Sequence, residues 1–107
     1  MFYDFPRDFR EREVAPGVVL RLVWGERIML SHASLRPHST VSTHSHPHEQ
    51  MGMVLEGEIE LTISGETKKL TKGQMFLVPP NAEHSAVIGE QPTVVLDVFS
   101  PPREDYK

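Results

Sequence analysis

Glu58-Ile59-Glu60-Leu61-Thr62-Ile63 alternates polar and apolar residues without a break. Successive side chains of a strand point to opposite faces, so Ile59, Leu61 and Ile63 share one buried face while Glu58 and Glu60 meet water. Turn residues bound the stretch, Glu56-Gly57 before it and Ser64-Gly65 after it. The same punctuation runs along the whole chain. Nine prolines and seven glycines cut it into short apolar stretches and leave no window for a helix of three or four turns with its own apolar stripe. Strands are therefore predicted over Val18 to Trp24, Arg27 to Leu35, Thr40 to His46, Met51 to Leu55, Glu58 to Ile63, Thr67 to Leu70, Gln74 to Val78, Ser85 to Ile88 and Thr93 to Phe99. Short strands with turn signals every eight or so to about twelve residues indicate an all-β antiparallel sandwich or barrel.

At 107 residues the chain is one domain. A fold of roughly this size buries only about two thirds of the surface its unfolded chain exposes, so a thin core is expected to be supplemented by pairing, most simply as a homodimer. Fifteen acidic against eleven basic residues give a net charge of -4 with no block of one sign, which argues against a nucleic-acid or anionic-membrane partner. With no cysteine, disulfides, thiolate-zinc sites and thiol catalysis are excluded. No apolar run approaches the roughly 20 residues of a membrane span and no signal-peptide pattern is visible, so a cytoplasmic protein is expected. Residues 1–17 read as an N-terminal arm whose Phe2, Tyr3, Phe5 and Phe9 should cover a sheet edge or pack on a partner subunit. Residues 18–99 read as the barrel and residues 100–107 as a C-terminal arm at its mouth.

Four of the six histidines need a common explanation. In His44-Ser45-His46-Pro47-His48-Glu49-Gln50, positions 44 and 46 fall on one strand face and can converge on one ion. Downstream, Pro79-Pro80-Asn81-Ala82-Glu83-His84 ends one strand and begins another, and a neighbouring strand about 5 Å away brings His84 to the same point. With Gln50, these residues predict a metal site. Glu49 competes with Gln50 only if a bulge after Pro47 reverses its face. His48 is expected at the mouth or behind the ligands, and His32 and His38 as ordinary residues.

In Val94-Val95-Leu96-Asp97-Val98-Phe99 a single carboxylate interrupts an apolar strand. Such an Asp is costly unless it is hydrogen-bonded, and burial raises its pKa toward the range useful for proton transfer. Asp97 is thus predicted to point into the barrel beside Val95 and Phe99. Ser100-Pro101-Pro102 stiffens the backbone at the end of this strand and can aim Arg103 across the barrel mouth; otherwise Arg103 pairs with Glu104 or Asp105 in solvent.

On these residues the chain resembles the small single-domain cupins. The first cupin motif is matched by His44, His46, Gln50 in the usual place of glutamate, and Gly57. The second is matched by Gly73, Pro79, Asn81 where glycine is usual, and His84. The resemblance implies an RmlC-like jelly-roll barrel carrying one divalent transition metal per chain on His44, His46, Gln50 and His84. A glutamine cancels none of the metal's charge, which suits redox-neutral Lewis-acid chemistry. Nickel, zinc, iron and manganese all accept such nitrogen and oxygen ligands.

From about residue 18 onward, the histidine string, Gln50 and the ending Leu96-Asp97-Val98-Phe99-Ser100-Pro101-Pro102-Arg103-Glu104-Asp105-Tyr106 are similar to the pectin-degradation cupins of the KdgF type. That similarity implies conversion of a small anionic sugar, a 4,5-unsaturated uronate from pectin or alginate breakdown, into a linear keto sugar, an isomerase-type reaction with Asp97 and Arg103 as the catalytic pair. A metal-dependent dioxygenase and a non-catalytic small-molecule-binding module are the alternatives, since cupin barrels host many activities.

Overall fold

The computed structural model describes residues 1–107 and contains ten strands and a single short 3-10 turn. In chain order the strands are β1 (Arg10–Ala15), β2 (Val18–Trp24), β3 (Met29–Leu35), β4 (Thr40–His44), β5 (Glu49–Glu56), β6 (Glu58–Ile63), β7 (Glu66–Thr71), β8 (Met75–Val78), β9 (His84–Ile88) and β10 (Thr93–Ser100); the turn covers Glu104–Tyr106. They form two antiparallel sheets, one in the order β1-β2-β3-β10-β5-β8 and the other β4-β9-β6-β7. The all-β architecture expected from the turn spacing, and the jelly roll implied by the cupin resemblance, are the fold observed.

Alternation accounts for the core. Every second residue of β2, β3 and β10 is buried, and the strand pattern that led to the fold puts Ile59 and Leu61 inside with Glu60 outside. Leu22, Met29, Val54 and Ile88 are almost wholly removed from water, each burial contributing roughly 1.5–3 kcal/mol. The outer face of the larger sheet is apolar as well: Met51, Met75 and Leu77 are exposed there, next to the half-buried Met53, Leu96 and Val98. No helix is long and apolar enough to cross a membrane.

Two sequence expectations need correcting. The alternation rule does not find β1: Arg10-Glu11-Arg12-Glu13 carries no apolar alternation, yet it pairs with β2 at the sheet edge, where charge is tolerated and blunts further pairing. Residues 1–17 are therefore not an arm throughout. Phe5, packed on Phe9 and on the ring of His32 at 4.4 Å between centroids, does cover part of the sheet, whereas Phe2 remains exposed. Finally, β4 stops at His44 and β5 starts at Glu49, so His46 stands in the connection and not on the strand expected to run from Thr40 to His46.

The turn between β5 and β6 ties the two sheets together. Gly57 has φ +80°, and a Cβ on it would lie 2.4 Å from the Pro92 carbonyl oxygen. Thr93 closes the junction, its hydroxyl accepting from the Glu58 amide at 3.1 Å and donating to the Glu58 carbonyl at 2.8 Å. Gly57→Ala should cost about 2–5 kcal/mol, the sum of the left-handed penalty and a clash with rigid backbone. Urea unfolding would show it as a lowered midpoint with unchanged slope, and a midpoint equal to the parent's would refute the steric account.

Candidate functional site

His44 and His84 are direct partners across β4 and β9, and the loop after β4 folds His46 back over them. The three rings lie 4.2 to 5.7 Å apart between centroids, and one ligand atom from each falls within 4.8 Å of the others. His46 and His84 are buried and His44 is half-buried.

Backbone carbonyls set the tautomers. Nδ1 of His44 faces the Ser42 carbonyl at 2.8 Å, Nδ1 of His46 the His48 carbonyl at 3.0 Å and Nδ1 of His84 the Ala82 carbonyl at 2.9 Å. A carbonyl oxygen only accepts, so each Nδ1 donates and each neutral ring keeps a bare lone pair on Nε2. Burial favours the neutral form of His46 and His84. It drives His46 down to about 4, with the Arg103 guanidinium and His84 adding repulsion, and it lowers His84 as well.

Gln50 completes the group. Its Nε2 donates to Asp97 Oδ1 at 3.0 Å, which turns its Oε1 toward His46 Nε2 at 3.1 Å. With Nδ1 of His46 already donating, Nε2 and Oε1 are two acceptors aimed at a shared point, as ligands of one cation are. The donor set therefore fits a divalent metal: three imidazole nitrogens and one amide oxygen, each ring held from behind by a hydrogen bond. Glu49 is exposed and faces away. His48 packs beside His46 at 5.5 Å between ring centroids, with its own Nδ1 buried and unpaired, and His38 is exposed in a loop.

Asp97 lies on the inner face of β10 between Val95 and Phe99, as its place in the strand predicts. Burial pushes its carboxyl up to about 6, and the hydrogen bond from Gln50 offsets only part of the rise. Arg103 does pair with Asp105, but not in solvent as the second expectation had it. It is buried beneath the 3-10 turn and also paired with Asp105, through Nε at 3.2 Å and Nη2 at 2.8 Å. Its Nη1 donates to the Tyr106 hydroxyl at 2.9 Å, and its guanidinium lies 3.9 Å above the Tyr106 ring. Of five N–H groups, these contacts leave one on each terminal nitrogen.

His44, Gln50, His84, Asp97 and Arg103 line one cavity of about 100 Å³ inside the barrel, walled deeper down by Leu20, Ala33, Leu61 and Val95. Two contributors escaped the sequence reading. Tyr106 follows a stiff proline pair but carries no pattern of its own. Gly52 stands alone within an apolar strand, a signal for close approach: a Cβ there would lie 2.3 Å from Phe76 Cζ and 2.5 Å from Asp97 Oδ1.

Comparison with known proteins agrees with this geometry. Residues 31–99 match the cupin domain model. The pectin degradation protein KdgF of Dickeya dadantii (strain 3937) is 28% identical over 96 residues, 88% of this chain and 87% of that protein. The structure of KdgF from Halomonas sp. superposes with a TM-score of 0.91 at 27% identity, covering 100% of this chain and 99% of the other. An RmlC-like cupin from Shewanella frigidimarina gives 0.91 at 28% identity, covering 100% and 96%. The chain belongs to the cupin domain family and, within it, is similar over most of its length to KdgF.

Proposed function

We propose that the protein is a metal-dependent cupin that converts 4,5-unsaturated uronates into linear keto sugars. The observation that carries this reading is a cluster of three bare imidazole lone pairs, two of its rings lining the same cavity as a buried carboxylate and a buried guanidinium. The similarity to a protein named for pectin degradation supports the choice of substrate. His44, His46, His84 and Gln50 would hold the metal, which when bound supplies Lewis-acid polarisation of a substrate oxygen.

The chain's own residues do the rest. Arg103, fixed by Asp105 and Tyr106, offers its two remaining N–H groups to the substrate carboxylate, a planar match for a planar ion. Asp97 moves the proton. It takes one from the hemiacetal hydroxyl as the ring C–O bond opens, and returns it to the enol carbon as the ketone forms. Atoms and electrons balance without any oxidant, which suits a site whose amide ligand leaves the metal's charge uncancelled. The apolar deep wall excludes water from the enol.

The test is incubation of metal-replete protein with freshly released 4,5-unsaturated galacturonate. Its ultraviolet absorbance should disappear well above the spontaneous rate, and a chelator should abolish the excess. Loss at the spontaneous rate alone would reject the reaction, and oxygen uptake in its place would favour the dioxygenase.

A further inference from the structure

One buried polar side chain of the cavity is left without a partner by the proposed mechanism. Ser31 sits on the inner face of β3, 1% exposed, between Met29 and Ala33, and lines the same cavity as Asp97. It is the residue directly opposite Asp97 in the pairing of β3 with β10, and on its other side it pairs with Leu22 of β2. Opposed side chains on one face of an antiparallel pair stand about 5 Å apart, yet no hydrogen bond joins the Ser31 hydroxyl to Asp97 or to any other group of the protein.

The reason lies on the far side of β10. There Asp97 is opposite Gly52 of β5, and the missing Cβ leaves a slot that Asp97 Oδ1 occupies, 2.5 Å from where that Cβ would be. Gln50 secures Oδ1 in the slot at 3.0 Å. The carboxylate is thus drawn toward β5 and away from Ser31, which leaves the space above Ser31 open to the cavity and Oδ2 without a bond. A hydroxyl that faces the cavity without a protein partner is left to be completed by a polar group that enters there.

The two free groups select the chemistry of what enters. A carboxylate oxygen accepts, whereas a serine hydroxyl can donate as well as accept. A single hydroxyl on a ligand satisfies both, donating to Asp97 Oδ2 while accepting from Ser31 Oγ. A carbonyl has no proton to donate to the Asp97 carboxylate, and an ammonium can donate to both groups but leaves the Ser31 proton without an acceptor. We propose that Ser31 is a substrate-binding residue, and that its hydroxyl and the free oxygen of Asp97 together hold one hydroxyl of a hydroxylated carboxylic acid whose carboxylate lies on Arg103. This deepens the proposed function and rests on it for the placement of the carboxylate.

The experiment compares wild type and Ser31→Ala, both metal-replete, by calorimetric binding of two stable acids. Galacturonate carries ring hydroxyls, and tetrahydropyran-2-carboxylate keeps the ring and carboxylate without them. Ser31→Ala should bind galacturonate at least about tenfold more weakly and the hydroxyl-free acid within about twofold of wild type. Its melting temperature without ligand should be unchanged or raised, because no bond within the protein is lost. Equal weakening toward both acids, no weakening toward galacturonate, or no binding of galacturonate by wild type would overturn the assignment. So would a fall of several degrees in melting temperature, which would mean that the hydroxyl serves the fold. Wild type that shows the expected binding pattern but leaves unsaturated galacturonate unconverted would remove the reaction and keep the assignment.

Discussion

Asp97→Asn should stabilise the metal-free protein near neutral pH while removing turnover. Burial holds the Asp97 carboxyl at about 6 against an ordinary value of 3.8, whereas in the unfolded chain it ionises near its ordinary value. Between those two values the folded state binds more protons than the unfolded one, so stability is present below the lower and lost as pH rises through the upper. A rise of this size corresponds to up to about 3 kcal/mol. His46 runs the other way. Its folded value near 4 lies below the ordinary 6.5, so the unfolded state binds the extra proton and stability grows with pH over much of the same window.

The wild-type profile is therefore flattened, and the difference between variant and wild type isolates Asp97. After chelation that difference should be near zero at about pH 4 and open to about 2–3 kcal/mol by pH 7.5. At this chain length each 1 kcal/mol moves the melting temperature by about 4–8 °C. Asparagine keeps an oxygen for the Gln50 amide, so the gain comes from removing a buried charge and not from repacking. The same variant should lose about 10²–10⁴-fold in kcat, the range a positioned acid or base supplies. A stability difference that does not vary with pH would refute the account of the carboxyl, and undiminished kcat would take Asp97 out of the chemistry.

Gly52→Ala should damage the site through its geometry, and trimming Phe76 should repair it. The added methyl meets Phe76 Cζ at 2.3 Å and Asp97 Oδ1 at 2.5 Å, distances at which one of the two must move. Overpacking of this kind costs about 1–3 kcal/mol. If the carboxylate moves, it leaves Gln50, whose amide is then free to turn its oxygen away from His46. A displacement of roughly 1 Å at a reacting group can cost on the order of 10²-fold in rate. Gly52→Ala should therefore lower kcat by about that factor and weaken metal retention. In Gly52→Ala with Phe76→Leu, the smaller side chain gives the methyl room and both properties should recover by about tenfold or more. A double variant no better than the single one would mean that the clash is relieved elsewhere and that Gly52 does not place Asp97.

The fold is legible in the sequence because it is written locally. The alternation at 58–63 and the glycine and proline turns set strand faces wherever one face must be dry, as Ile59, Leu61, Leu20 and Leu22 show. Edge strand β1 escapes for the same reason: with solvent along its free edge, Arg10-Glu11-Arg12-Glu13 has no need to alternate. Asp97 is legible as a charge without excuse in an apolar run, and the histidine string as a composition that solvent exposure does not explain.

Sequence alone determined which residue types are available to the site, on which strands most of them lie, and that Asp97 turns inward, because side-chain parity along a strand is a local property. Only the tertiary structure decided how those groups use one another. That the Ser42, His48 and Ala82 carbonyls fix the imidazole tautomers, that Asp97 turns the Gln50 amide, that Asp105 and Tyr106 hold a buried Arg103 and that Gly52 leaves space for a carboxylate are all relations between particular atoms. Several of them join segments far apart in the chain, and hydrogen bonds and steric contacts act over a few ångströms of space whatever the distance along the backbone.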